Sequence, residues 1–268
     1  ALAIENARLS ERILQQQAQL EKAAKRLAKR GEILEETVAR QSRELARVRS
    51  TRDVMATMIG DSPVMEALRE TLRRAAGAGL NVLLQGASGT GKNLAARALH
   101  ELSDRSQGPF EILSCASMNA DLLASELFGH VKGAFTGAHT DRKGLFTRTD
   151  GGTLFLDEVD DMPEPMQAQL LRVLESGQFN PVGSSESCDV SVRVIAATTA
   201  DLAQRVDQGQ FRRDLYFRLA GITLSLPALK ERPEDIPGLF THFLAETAER
   251  FGKPTPMVDP ACMAILKA

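Results

Sequence analysis

The sequence predicts an α/β fold, a parallel sheet flanked by helices, with one long helix before it and the start of a small helical lid after it. Three observations carry this expectation. From residue 81 short apolar segments alternate with amphipathic ones, and such alternation places a parallel sheet between helical layers. Residues 1–57 contain no proline and no Phe, Tyr or Trp. They hold one glycine, Gly31, among abundant Ala, Leu, Glu, Gln, Lys and Arg. A glycine-rich loop follows the first apolar segment directly.

The elements are justified in chain order. The first 57 residues consist of strong helix formers and read as one helix. Stepping by seven from Ile13 gives Leu20, Leu27, Leu34, Gln41, Val48 and Met55. The companion seam, Ser10, Gln17, Ala24, Gly31, Val38, Leu45 and Arg52, is poor, so a parallel dimeric coiled coil stands beside the plainer reading of a solvated helix packed on its own domain. Ile59-Gly60-Asp61-Ser62-Pro63 breaks the pattern, and Asp61 or Ser62 can cap a new helix near Pro63. A domain over 58–228 follows, with strands expected at 81–85, 110–113, 153–156, 192–197 and 222–226. Beyond Pro227 a polar joint, Glu231 to Pro237, leads to an amphipathic helix from Leu239 to about Phe251, and residues 229–268 read as the start of a lid.

Composition narrows the function classes. The chain has 268 residues, 43% of them hydrophobic, and a formal net charge of -2. With a pI near 6.2, bulk charge does not mark a nucleic-acid or membrane-surface binder. Residues 1–56 hold twelve Lys and Arg against eight Asp and Glu, but the signs are interspersed and no Phe, Tyr or Trp precedes Phe110 to stack on a base. Cys115, Cys188 and Cys262 are far apart, form no CxxC pair and read as reduced thiols. No stretch approaches the roughly 18 apolar residues of a membrane span, and no signal-peptide pattern opens the chain, so a cytoplasmic protein is expected. The chain starts and stops inside helical patterns, as a piece of a longer polypeptide would.

Two motifs carry the chemistry. Gly86-Ala87-Ser88-Gly89-Thr90-Gly91-Lys92 lies between an apolar strand and a helix, the context of a phosphate-binding P-loop. Its glycines free backbone amides to face phosphates, the helix N-terminus favours negative charge, and Lys92 can reach the β- and γ-phosphates. The next residue is Asn93 where Ser or Thr is usual, which leaves Mg²⁺ ligation there in doubt. An ordinary glycine-rich turn is the plainer alternative. Sixty-five residues beyond Lys92, the apolar run Thr153 to Leu156 ends in Asp157-Glu158, a Walker B arrangement. Asp157 can hold Mg²⁺, and Glu158 can orient and deprotonate an attacking water. The pair of motifs points to ATP.

At Gly133-Ala134-Phe135-Thr136-Gly137-Ala138, preceded by Glu126-Leu127-Phe128-Gly129-His130, the chain resembles the sigma-54-dependent activators, bacterial enhancer-binding proteins of the AAA+ P-loop NTPase class. Read physically, the hexapeptide is a flexible tip with one aromatic, one hydroxyl and no charge; a buried turn is the alternative. The resemblance implies a loop that touches sigma-54 through Phe135 and Thr136. It further implies two arginines, Arg212 and Arg218 in Phe211 to Leu219, that reach a neighbouring subunit's γ-phosphate. Without the resemblance, salt bridges with carboxylates such as Asp214 would account for them. Residues 1 to about 13 are similar to the closing helix of a GAF sensory domain.

What the resemblance implies as a whole is an ATPase ring, hexameric in the family, that remodels the closed complex of sigma-54 RNA polymerase holoenzyme. A sensor II arginine and a DNA-binding helix-turn-helix would lie beyond residue 268. The chain departs from the family at Asn93, where Glu is usual, at Ser114, where an Asn contacts the Walker B glutamate, and at Thr199, where a sensor Asn stands. Ser and Thr are shorter and lack the amide's paired donor and acceptor. Slow or differently regulated hydrolysis is therefore expected, with an ATP-gated switch of weak turnover and a sigma-54-independent repressor relative as the rival readings.

Overall fold

A computed structural model of the protein describes residues 55–116 and 118–259, together with residues 262, 263 and 266. Except for residues 55–57, which are helical, the coiled-coil helix expected over 1–57 lies outside the described residues. Helix α1 (Pro63–Gly77) begins at Ser62, whose hydroxyl accepts from the Met65 amide at 3.4 Å, with proline in its first turn. Strand β1 (Val82–Gln85) leads into α2 (Lys92–Glu101), then β2 (Phe110–Ser114) and α3 (Ala120–Phe128), which Asn119 caps. A short hairpin, β3 (Gly129–His130) with β4 (Arg142–Lys143), precedes α4 (Leu145–Arg148). Next come β5 (Thr153–Asp157), α5 (Glu164–Ser176), the pair β6 (Gln178–Phe179) and β7 (Cys188–Asp189), and β8 (Arg193–Thr198). The remaining elements are α6 (Leu202–Asp207), α7 (Arg213–Leu219), β9 (Ile222–Ser225) and α8 (Ile236–Arg250).

The main sheet has the order β2-β5-β8-β1-β9, and each of its pairs is parallel. A parallel sheet covered on both faces needs apolar residues pointing each way. Leu83, Leu154, Leu156, Val194 and Ala196 join a core with α3, α5 and α7 on one face. Val82, Leu84, Phe155, Ile195 and Ala197 join α1 and α2 on the other. The five strands match the sequence expectation within a residue or two at each end. Helix α2 starts at Lys92, inside the glycine-rich motif itself, and, as a second shift, α8 starts at Ile236 rather than at the expected Leu239. Pro237 caused the second shift. It was read as part of a joint, but it lies in the first turn of α8, where its missing N–H costs no helical bond.

The polar joint is short turns at Leu229–Glu231 and Pro233–Asp235, closed by a buried carboxylate. Asp235 accepts from the Asp61 amide at 2.7 Å, the Ser62 amide at 2.8 Å and the Ser62 hydroxyl at 2.7 Å, and faces Arg232 at 3.9 Å. It thus satisfies amides at the entry to α1 from a residue far away in sequence. Burial alone would raise the Asp235 pKa, but the bonds from Ser62 and Asp61 and the Arg232 charge hold it below the ordinary carboxylate value.

A depressed folded pKa means that the stabilisation is present above the unfolded carboxylate pKa and is lost as pH falls through the folded one. Asp235→Ala leaves two amides and a buried guanidinium without this acceptor. It is expected to lower unfolding free energy by about 3 kcal/mol or more at neutral pH. Urea denaturation of both proteins checks this, and the gap between them should narrow on acidification below the usual carboxylate range.

Candidate nucleotide site and surface loop

Because every main strand runs the same way, their carboxyl ends meet at one edge, where ligands bind in open α/β sheets. β1 and β8 end together, Gln85 beside Thr198, and the Gly86 amide extends the ladder to the Thr198 carbonyl at 3.2 Å. β2 and β5 end with Ser114 beside Asp157. The P-loop, Ser114, Asp157, Glu158 and Thr199 therefore share one edge.

In the loop Gly86–Lys92, Gly91 has φ of 96° as the residue preceding α2, and it provides no side-chain cap. A side chain would be strained there. The first-turn amides of α2 are left for an anion. Lys92 is 8% exposed, and its ammonium donates to the carbonyls of Gly86 at 2.8 Å and Ala87 at 3.1 Å, folded across its own loop. Asn93 follows in the first turn and is exposed.

Asp157 accepts from the Glu158 amide at 3.0 Å, and Glu158 has left-handed backbone angles, φ 54° and ψ 46°, rare for a residue with a side chain. That turn carries Glu158 off the strand. Its carboxylate accepts from the Ser114 hydroxyl at 2.8 Å. Burial raises the Asp157 pKa; the Glu158 amide bond and the Lys92 charge oppose the rise, and the Glu158 and Asp160 carboxylates add to it. The neighbouring Cys115 thiol reports the same field: burial first, then Asp157, Asp160, Glu158 and Asp161, push it up to about 12. Negative charge at this edge thus favours a cation. Among the described residues no three His, Cys, Asp or Glu side chains cluster as a metal site. Such a donor set fits Mg²⁺, which takes one or two carboxylates plus substrate phosphates, better than a caged metal.

A cavity of about 920 Å³ adjoins the loop, lined by Ala87–Gly91, by Met58 and Ile59, and by Leu229, Arg232, Phe240 and Phe243 of the joint and α8. Sequence reading missed this wall. The Ile59-Gly60 break and the polar joint were the available signals, but nothing local says that Asp235 ties them together. Thr199 is exposed past β8, while the buried Thr198 hydroxyl closes the turn with Ala200.

Arg212 and Arg218 do not line that cavity. Arg212 precedes α7 and forms two bonds with Asp214, at 3.1 and 2.7 Å, which raise the arginine's pKa and lower the aspartate's. Arg218 donates twice to the Leu174 carbonyl, at 3.0 and 2.8 Å, beside a groove that includes Leu80 and Phe217.

The hexapeptide Gly133–Ala138 forms the tip between β3 and β4. The Gly133 amide donates to Ala138 at 2.9 Å and the Ala138 amide to Phe135 at 3.0 Å, so the tip closes on itself. Ala138 is buried, Thr136 is exposed and Phe135 is 43% exposed, which places the sequence-singled pair at the surface. Bonds from Arg142 to Glu126, at 2.5 and 3.1 Å, and from the Lys132 amide to Asp141 at 2.7 Å brace the base.

Comparison with known proteins follows the same lines. The family described as the Sigma-54 interaction domain matches residues 58–225. The transcriptional regulatory protein ZraR of Klebsiella oxytoca is 50% identical over 209 residues, covering 78% of this chain and 47% of that protein. The DNA-binding transcriptional regulator NtrC of Escherichia coli K12 is 49% identical over 209 residues, covering 78% and 45%. A crystal structure of NtrX from Brucella abortus in complex with ATP superposes with a TM-score of 0.73 at 36% identity, covering 86% of this chain and 50% of that one. The chain spans about half the length of these relatives.

The raised Asp157 pKa has a consequence for stability. Ionisation of Asp157 disfavours the fold, so its contribution falls as pH rises through its raised folded pKa. Asp157→Asn is expected to raise the thermal midpoint without nucleotide or Mg²⁺, and to lose that advantage when both are added. Differential scanning fluorimetry under the two conditions checks both halves.

Proposed function

The chain belongs to the Sigma-54 interaction domain family, the AAA+ ATPases of sigma-54-dependent transcription activators, and from that premise we propose that it hydrolyses ATP between subunits of a homo-oligomeric ring to drive the Gly133–Ala138 loop against sigma-54. The observation that carries this reading is a division of labour. Lys92, Asp157 and Glu158 gather at one strand edge, whereas Arg212 is bonded to Asp214 and Arg218 to the Leu174 carbonyl beside a separate groove, so neither arginine is offered to its own chain's carboxylates or P-loop. A second copy resolves the split by presenting its arginines to this chain's phosphates.

Each residue has a defined task. The amides of Gly86–Asn93 receive the phosphates, and Lys92 exchanges its loop carbonyls for phosphate oxygens. Asp157 would hold Mg²⁺, which supplies charge neutralisation on the β- and γ-phosphates. Glu158 takes the proton of the attacking water, while the Ser114 hydroxyl bonded to one of its oxygens sets where the carboxylate points. The partner's arginine stabilises charge on the transferring group, so turnover requires assembly. Phe135 and Thr136 then present an uncharged aromatic and a hydroxyl to sigma-54. No described helix is long and apolar enough to cross a membrane.

The Ser114 bond also favours slow turnover. A serine holds Glu158 through one short donor, where the family's asparagine offers a longer amide able to follow the carboxylate as nucleotide changes. Thr199 lacks that amide at the second position.

Steady-state hydrolysis should rise steeply with protein concentration. Glu158→Ala is expected to lower it by roughly 10²- to 10⁴-fold, and Arg212→Ala by about 10³-fold or more. Mixing the two variants should restore activity, since each supplies what the other lacks; no recovery would count against action between subunits. A Ser114→Asn, Thr199→Asn double variant should turn over faster than the parent, and identical kinetics would remove the explanation based on shorter side chains.

A further inference from the structure

We propose that His130 is a positioning residue for the surface loop: its imidazole holds Phe135 in a docked state, and release of that ring makes the loop competent to bind. The inference rests on the reading that this loop contacts sigma-54.

The two rings meet edge to face, with centroids 4.9 Å apart and planes at 69°, the geometry aromatic quadrupoles favour. His130 is a fixed platform. Its Nδ1 is bonded to the buried Ser125 hydroxyl at 2.8 Å, which sets the ring's orientation from within α3. Its backbone pairs with Arg142 across the hairpin and bridges to Val182 on its other side. The Val131 amide donates to the Val182 carbonyl at 3.1 Å, and the Val182 amide to the Gly129 carbonyl at 2.9 Å. Gly183, at φ +80°, lets this second loop approach so closely that a Cβ there would stand 2.7 Å from the Ala134 Cβ. The base of the loop, and Ala134 at the start of its tip, are therefore held from two sides.

The tip is built differently. Gly133 and Gly137 have φ of +86° and +106°, and a Cβ on either would meet nothing within 4 Å. Phe135 lies between two such open glycines, so its ring can leave without unpacking the base. Its docking partner is the His130 ring, and 43% of Phe135 is still exposed. One edge-on ring contact is strong enough to bias such an equilibrium and weak enough to be broken, by about two- to tenfold in population.

The chain contains no tryptophan, so F135W gives a single-site reporter that keeps an aromatic on the loop. Acrylamide quenching of that indole is measured in F135W alone and combined with H130A, S125A or H130F. Docking predicts a quenching constant about two-fold or more higher with H130A, an intermediate rise with S125A, and protection largely kept by H130F, which retains a ring. Equal quenching in all four proteins overturns the proposal. S125A and H130F keep the test decisive should H130A fold poorly, as judged by circular dichroism.

A second measurement uses the native Phe135. H130A should capture sigma-54 without nucleotide about two- to tenfold better than the parent, with basal ATP hydrolysis unchanged. Quenching that responds as predicted, with no variant binding sigma-54, would refute the assigned target of the loop and leave the docking contact standing.

Discussion

The parallel register of β2, β5, β8 and β1 is the constraint on which the rest depends. It places Ser114 beside Asp157 and Gln85 beside Thr198, and so fixes which residues emerge at the carboxyl edge. Both faces of the sheet are buried, so a slip of one residue in β5 would exchange Leu154 and Leu156 with Phe155 between two differently shaped cores. Packing on either face therefore protects the chemistry at the end. The left-handed turn at Glu158 fits this account: the strand delivers Asp157 in register, and one unfavourable residue redirects the next carboxylate toward Ser114.

Asp235 plays a parallel role for the cavity. The P-loop side of the wall comes from the end of β1, and the opposite side from residues near 58–59 and 229–243. Those two stretches are distant in sequence and are joined by the bonds from Asp61 and Ser62 to one carboxylate. Arg69 reinforces the first stretch by donating to the carbonyls of Met58 and Gly60. A buried carboxylate with several partners is sensitive to losing them, so the tie between α1 and α8 depends on this one residue.

The strands and the P-loop were legible in the sequence because both are local. A run such as Thr-Leu-Phe-Leu ending in Asp-Glu declares a buried strand and the residues at its end without reference to distant residues. The start of α8 was not legible, since Pro237 punctuates loops and first helical turns alike. Asp235 was hidden for the opposite reason. In sequence it is one acidic residue in a charged stretch, and only tertiary contact makes it a cap for α1. The bonding of Arg212 to Asp214 was foreseen as the ordinary alternative to a role in catalysis, and it is the arrangement found here. His130 was read only as part of a motif, because nothing in its spacing says that its ring meets Phe135.

These bonds share a thermodynamic pattern. Lys92 is held by carbonyls of its own loop, Glu158 by Ser114, Arg212 by Asp214 and Arg218 by Leu174. None of these charges is left unpaired, yet none is engaged where phosphoryl transfer would need it. ATP and a neighbouring subunit must therefore offer partners at least as good before any of them shifts, and the exposed, solvent-screened Arg212–Asp214 pair is the easiest of the four to exchange. Exchange of one set of partners for another raises the barrier for an isolated chain more than for an assembled one, because assembly presents several replacements together. On this argument the proposed dependence on assembly would come from competition within each subunit as much as from the bonds that hold its arginines.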